Sequence, residues 1–154
     1  MNNSYKEKTV LITGSSRGIG ASTAEYFAKN NFNIIINYLN NRSAANELAT
    51  NLEENYNIKT LVVQADISKE EDCIRLLNES INKFETIDCL VNNAGIAIDT
   101  TLENKTVNNF KKIIDTNLIG TFLMCKHFGT YMKDKQGFGS IVNISSTNGI
   151  DSFY

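Results

Sequence analysis

Eight consecutive residues, TGSSRGIG at positions 13–20, have the types and spacing to hold a phosphate group. They follow an apolar run and open a helical pattern, so the turn between them would present backbone rather than side chains to a ligand. Each glycine has its own steric reason. Gly14 lets the chain turn sharply out of a strand, Gly18 removes a Cβ where backbone must approach a pyrophosphate, and Gly20 allows close packing of helix on sheet. Ser16, Arg17 and Ile19 fill the positions between, and the unpaired N–H groups and positive dipole end of the following helix face the same point. A merely flexible strand-to-helix turn could carry as many glycines. The strand before and the helix after supply the context that a dinucleotide-binding turn requires.

Four further segments carry polar chemistry at regular points of the chain. They are Asp66 in ADI, NNAG at 92–95, Asn117 in TNLIG and Ser146 in IVNISSTNG. All but Asn117 fall at the carboxyl ends of predicted strands, where open α/β sheets bind ligands. Asp66 could accept a hydrogen bond from an adenine amino group, or simply cap a helix. In NNAG, Ala94 and Gly95 are small enough for a cofactor to pass over the backbone, and Asn92 is expected to tie neighbouring strands together. Asn117 lies on or beside the apolar stripe of its helix formed by Phe110, Ile113, Ile114 and Leu118, so its amide is expected to be buried and to find partners.

The elements that must position these residues alternate from end to end. Short apolar strands are expected at residues 9–13, 33–38, 60–64, 87–91 and 140–144, with helices starting near Gly18, near Ser43, after Ser68 and after Thr106. Runs that are apolar throughout, rather than alternating, indicate strands covered on both faces. The expected fold is α/β, a Rossmann-type doubly wound parallel sheet of order 3-2-1-4-5. Ser68 with Glu71 has the spacing of a capping box, and Ile74, Leu77, Ile81 and Phe84 then recur at helical spacing as a stripe against the sheet. Only SSTNGIDSFY follows the fifth strand, so one domain, 1–154, is expected to be incomplete at its carboxyl end. The face of that strand is expected to need cover, from chain beyond Tyr154 or from a partner.

The spacing TGxxxGxG, followed in order by Asp66, NNAG, Asn117 and Ser146, resembles the short-chain dehydrogenase/reductase family over residues 9–154. That resemblance implies nicotinamide cofactor binding by Gly14, Ser16, Arg17, Gly18, Ile19, Gly20, Tyr38, Asp66, Ile67, Asn92, Ala94 and Gly95. It implies a backbone contact from Ile67 beside Asp66, a water held by Asn117 in a proton relay, and a hydrogen bond from Ser146 to the reacting carbonyl oxygen. The family's acid/base pair is a Tyr with a Lys four residues on, following the serine, and the chain is read as lacking it, with no Lys expected at that offset from Tyr26, Tyr38, Tyr56 or Tyr131. Tyr154 follows Ser146 too closely to serve. A chain of these 154 residues alone is therefore expected to show no appreciable dehydrogenase activity.

Strand 2 ends in INYLNNRS, with no acid to bind a ribose 2′-hydroxyl, which permits a 2′-phosphate. Arg17, and Arg42 with less support, could pair with that phosphate, so NADP(H) is expected to bind better than NAD(H). Within the family the nearest resemblance is to 3-oxoacyl-[acyl-carrier-protein] reductases, through the NY ending of strand 2 and NNAGIAID before the TNLIGTF helix. The implied substrate is a ketone, small or acyl-carrier-bound. Sugar, polyol and steroid dehydrogenases would look similar over these residues. A non-catalytic nucleotide-binding module and a flavodoxin-like electron carrier are the readings from other classes; the glycine spacing argues against the second.

Bulk properties agree with small-molecule chemistry. At 42% hydrophobic and 21% charged residues, with a net charge of -2, the chain has no basic footprint for nucleic acid or anionic lipid. No apolar run approaches the ~20 residues that span a bilayer, and the start lacks a signal-peptide core, so the expected location is cytoplasmic. Cys73, Cys89 and Cys125 form no CxxC pair, and reduced core thiols are expected rather than a metal site. The resemblance also implies a homo-oligomer built on the long helices around residues 106–133 and on the helix expected after strand 5.

Overall fold

The computed structural model describes residues 7–147. Five parallel strands, β1 (Lys8–Ile12), β2 (Phe32–Tyr38), β3 (Thr60–Gln64), β4 (Cys89–Asn92) and β5 (Ser140–Asn143), form one sheet of order β3-β2-β1-β4-β5. Helices α1 (Gly18–Lys29), α2 (Arg42–Tyr56) and α3 (Glu70–Phe84) make the first three crossovers. The fourth begins with α4 (Val107–Ile114), runs through a π-helical turn (Asp115–Gly120) into α5 (Thr121–Tyr131), and closes with a second π turn (Met132–Gln136). The chain builds outward from β1 to β3, then returns to place β4 on the other side of β1. That reversal opens a crevice at the carboxyl ends of β1 and β4.

Period-two alternation along the strands supplies two cores, one on each face. Leu11, Ile35 and Leu90 point to one side, against Cys73 and Leu76 of α3 and Leu123, Met124 and Phe128 of α5. Val10, Ile12, Ile34, Ile36 and Val91 point to the other, against Ala24 and Ala28 of α1 and Ala45, Ala49 and Leu52 of α2. Alanines on that side let two helices lie close to the sheet. Each fully buried Leu, Ile or Phe contributes roughly 1.5–3 kcal/mol, so these strands are held by their neighbours rather than by propensity.

Strand positions agree with the sequence to within two residues at their ends, and α1, α2 and α4 start within one residue of their expected places. Thr106 caps α4, its Oγ1 accepting the Asn109 N–H at 3.1 Å. The expected capping box before α3 does not form. The N-cap is Lys69 without a side-chain cap, because Ser68 turns back and donates its hydroxyl to Asp66 Oδ1 at 2.7 Å. The stripe of α3 is also rotated from the expected one. Cys73, Leu76 and Ser80 are buried at its centre, Leu77, Ile81 and Phe84 flank it, and Ile74 is 41% exposed.

Residues of β5 are exposed along its length, with Ile141 and Val142 in the open, and Phe110, Leu118 and Phe122 are also exposed on the α4–α5 crossover. An uncovered apolar face beside β5 was anticipated from the sequence and is present among the described residues. Burial pushes the Cys73 thiol up to about 12 and raises that of Cys89, so both behave as core thiols, while Cys125 is half-buried. No helix among the described residues is long and apolar enough to cross a membrane, and no group of His, Cys, Asp or Glu among them could hold a metal ion.

Candidate functional site

The crevice contains a cleft of about 870 Å³ at the carboxyl ends of the strands. Its floor is the turn between β1 and α1. Gly14 and Gly18 sit at φ 62° and 57°, the left-handed region that costs a non-glycine residue roughly 1–2 kcal/mol. A Cβ on Gly18 would meet nothing within 4 Å, so this backbone is bare toward the cleft. Arg17, extended at φ −161°, is the N-cap of α1 and makes no side-chain cap. The first N–H groups of α1 therefore have no intrahelical partner and stand at the positive end of a 12-residue helix. That combination suits a phosphate.

The buried Asn37 amide, the half-buried Asn93 amide and the buried Thr13 hydroxyl hold the turn in place. Gly14 N donates to Asn37 Oδ1 at 3.1 Å, and Ser15 N donates to the Asn37 carbonyl at 2.9 Å. Thr13 Oγ1 accepts from Asn93 N and Ala94 N at 3.0 and 2.9 Å, while Asn93 Nδ2 donates to the Thr13 carbonyl at 2.9 Å. The glycine turn and the NNAG loop are thus one hydrogen-bonded unit. Gly20 is what lets them meet: a Cβ there would lie 2.6 Å from Asn93 Nδ2 and 2.8 Å from Ser15 Cα. Its close approach is to the turn and to this loop, rather than to the sheet as expected from the motif.

Gly14, Ser16, Arg17, Gly18, Ile19, Gly20, Tyr38, Asp66, Ile67, Ala94 and Gly95 all line the cleft. Tyr38 does so from the core, at 5% exposure, and offers an edge rather than a free side chain. Half-buried Asp66 stands beyond β3, its Oδ1 accepting both Ser68 N at 3.1 Å and Ser68 Oγ at 2.7 Å. This turn is steadied by Asp72, whose Oδ2 accepts Asp66 N at 2.8 Å. That amide, then Arg75, holds the Asp72 carboxyl below its ordinary value. Ile67 is buried beneath Gly120, where an added Cβ would come within 2.8 Å of its Cδ1.

Asn92 is not part of the lining. It ties β4 to β5 as anticipated, Nδ2 donating to Asn143 Oδ1 at 2.8 Å, while its own Oδ1 is buried without a partner. Arg42 also stays outside, at the exposed start of α2 beyond the lining residues Asn40 and Asn41. Asn117 departs from expectation: it is exposed. Its amide is nonetheless satisfied, Oδ1 accepting Ile96 N at 2.8 Å and Nδ2 donating to Ile96 O at 2.9 Å, so it fixes the loop that follows NNAG. Ser146 is exposed in the loop three residues past the end of β5, rather than ending the strand. Gly149, three residues on in IVNISSTNG, and Tyr154 lie outside the described residues.

The reading that no Tyr has a Lys four residues later needs one correction, because Tyr131 and Lys135 have that spacing. Their location excludes them from the cleft. Tyr131 Oη donates to the Glu85 carbonyl at 2.7 Å, just ahead of β4 and therefore at the amino-end edge of the sheet. Sequence reading also passed over Thr13, Asn37, Asn93, Lys112 and Thr116, the first three as props of the turn and the last two as cleft lining. The signal for Asn37 was present: a polar amide deep in an apolar strand must be spent on something.

The cleft is a nucleotide-sized slot with bare backbone and a helix N-terminus at one end and a carboxylate turn at the other. A family model described as short chain dehydrogenase matches residues 8–154. The chain belongs to the short-chain dehydrogenase family. Glucose 1-dehydrogenase 2 of Bacillus subtilis is 36% identical over 148 residues, which cover 94% of this chain and 57% of that protein. The 3beta-hydroxysteroid dehydrogenase 1 of Eggerthella lenta is 35% identical over 97% of this chain and 57% of its own length. A 3-oxoacyl-[acyl-carrier-protein] reductase of Synechocystis sp. is 36% identical over 93% of this chain and 57% of its own. The chain thus spans little more than half of each relative. Among solved structures, a double mutant of a Serratia marcescens short-chain dehydrogenase/reductase superposes with a TM-score of 0.87 over 96% of this chain and 58% of that one, at 24% identity, and shows the same fold.

Proposed function

We propose that this chain is the cofactor-binding portion of an NADP(H)-dependent short-chain dehydrogenase/reductase that reduces a ketone, such as a 3-oxoacyl thioester, to the alcohol. The observation that carries the reading is the bare backbone at Gly18, at the N-terminus of α1 in a cleft edged by Arg17, with no acid at the end of β2. The pyrophosphate would lie on that helix end and the adenine beside Asp66 and Ile67. A 2′-phosphate would meet Arg17, whose guanidinium suits it through a charge-assisted fork. When bound, the nicotinamide supplies the hydride. Asn117 and Ser146 are assigned to the reacting end, Asn117 by fixing the Ile96 loop and Ser146 by a hydrogen bond to the carbonyl oxygen.

The glucose dehydrogenase, the steroid dehydrogenase and the 3-oxoacyl-[acyl-carrier-protein] reductase are all 35–36% identical to this chain, so a sugar, polyol or steroid substrate is the second reading. We place the protein in the cytoplasm, without nucleic-acid or membrane partners, and as a homo-oligomer joined through the α4–α5 crossover. Titration with NADPH and NADH, followed by nucleotide fluorescence, tests the cofactor assignment. NADPH is expected to bind at least ~10-fold more tightly, the worth of one charge-assisted hydrogen bond or more. Tighter binding of NADH would overturn it.

A further inference from the structure

Asn37 is 2% exposed near the end of β2, and each polar atom of its side chain is spent on a segment that lines the cleft. Oδ1 accepts Gly14 N at 3.1 Å, in the glycine turn. Nδ2 donates to the Ala65 carbonyl at 3.1 Å, immediately before Asp66, with the Val63 carbonyl at 3.5 Å. The strands themselves are already joined by their backbone ladders, β2 to β1 and β2 to β3. The amide adds a link of a different kind, from one end of the cleft to the other across β2.

We infer that Asn37 is a positioning residue for the nucleotide: it sets the separation between the turn that faces the pyrophosphate and the β3 end that faces the adenine. This rests on the nucleotide reading of the cleft. A dinucleotide must satisfy both ends at once, so a link that fixes their spacing acts on affinity without touching the ligand. Arg17, Tyr38 and Asp66 line the cleft together with Asn37.

The substitution Asn37→Leu, similar in size and adding no charge beside the phosphates, separates this role from plain strand stitching. It removes both the acceptor for Gly14 N and the donor to the Ala65 and Val63 carbonyls. In the folded variant, affinity for NADP+, which must satisfy both ends of the cleft, is expected to fall about tenfold, while affinity for inorganic pyrophosphate, which meets the turn alone, changes by less than about twofold. A folded variant whose NADP+ affinity matches wild type, or that loses both ligands equally, would overturn the inference. Should the variant unfold, hydrogen exchange of the Asn37 side-chain amide in the wild-type chain decides: slowing of about tenfold on adding NADP+ supports the role, and unchanged exchange refutes it. Absence of any NADP+ binding by wild type would instead remove the nucleotide reading itself.

Discussion

Given NADPH and a ketone, the 154-residue chain is expected to leave the nucleotide unoxidised. Reduction of a carbonyl needs a proton delivered to the oxygen as hydride reaches the carbon, and a positioned general acid contributes about 10²–10⁴ in rate. Tyr131 and Lys135 have the spacing of such a pair but sit at the opposite edge of the sheet from the cleft, with the Tyr131 hydroxyl occupied by the Glu85 carbonyl. The described residues place no other tyrosine hydroxyl at the reacting end: Tyr26 is exposed on α1, Tyr38 lines the cleft at the end of β2, and Tyr56 Oη donates to Glu25 at 2.9 Å. NADPH oxidation is read by absorbance with a 3-oxoacyl thioester, a sugar and a steroid ketone in turn. Turnover at the rate of a full-length relative with any of them would show that a proton donor has been overlooked.

Gly18→Ala and Gly20→Ala are expected to fail in opposite ways. At Gly18 the new methyl group points into open space, so folding suffers mainly from the positive φ, at roughly 1–2 kcal/mol. Nucleotide affinity falls by more than an order of magnitude, because the methyl occupies the space the phosphates need. At Gly20 the same methyl would lie 2.6 Å from Asn93 Nδ2, 2.8 Å from Ser15 Cα and 2.9 Å from the Gly14 carbonyl. Backbone cannot yield as a flexible side chain does, and overpacking of this kind costs about 1–3 kcal/mol. Thermal unfolding and nucleotide titration of both variants distinguish the two. Unchanged affinity in Gly18→Ala, with the variant folded, would contradict the assignment of the turn.

The strands and the cleft floor were legible because they rest on strong local signals, and the sheet order followed from the Rossmann-type fold those signals imply. Apolar runs mark strands buried on both faces, and a glycine turn between strand and helix permits few alternatives. Other features escaped because their outcome depends on competition between neighbours. Ser68 could have capped α3, but Asp66, two residues earlier, captured its hydroxyl first. Asn117 was placed on an α-helical stripe, whereas the chain there passes through a π turn at Asp115–Gly120, whose wider winding changes the phase of the faces. The roles of Asn37 and Asn93 depend on which loops approach across the sheet, with sequence separations of 23 and 80 residues. No local pattern records such distances.

The most direct test of the account is backbone amide mapping of the 154-residue chain by two-dimensional NMR while NADP+ is added. Shifts are predicted for Gly14 to Gly20, for Asp66 and Ile67, and for Asn93 to Gly95, with the far edge around Tyr131 and Gln136 unmoved. Saturable shifts clustered anywhere other than the carboxyl-end cleft, or none at millimolar nucleotide with the chain folded, would contradict it.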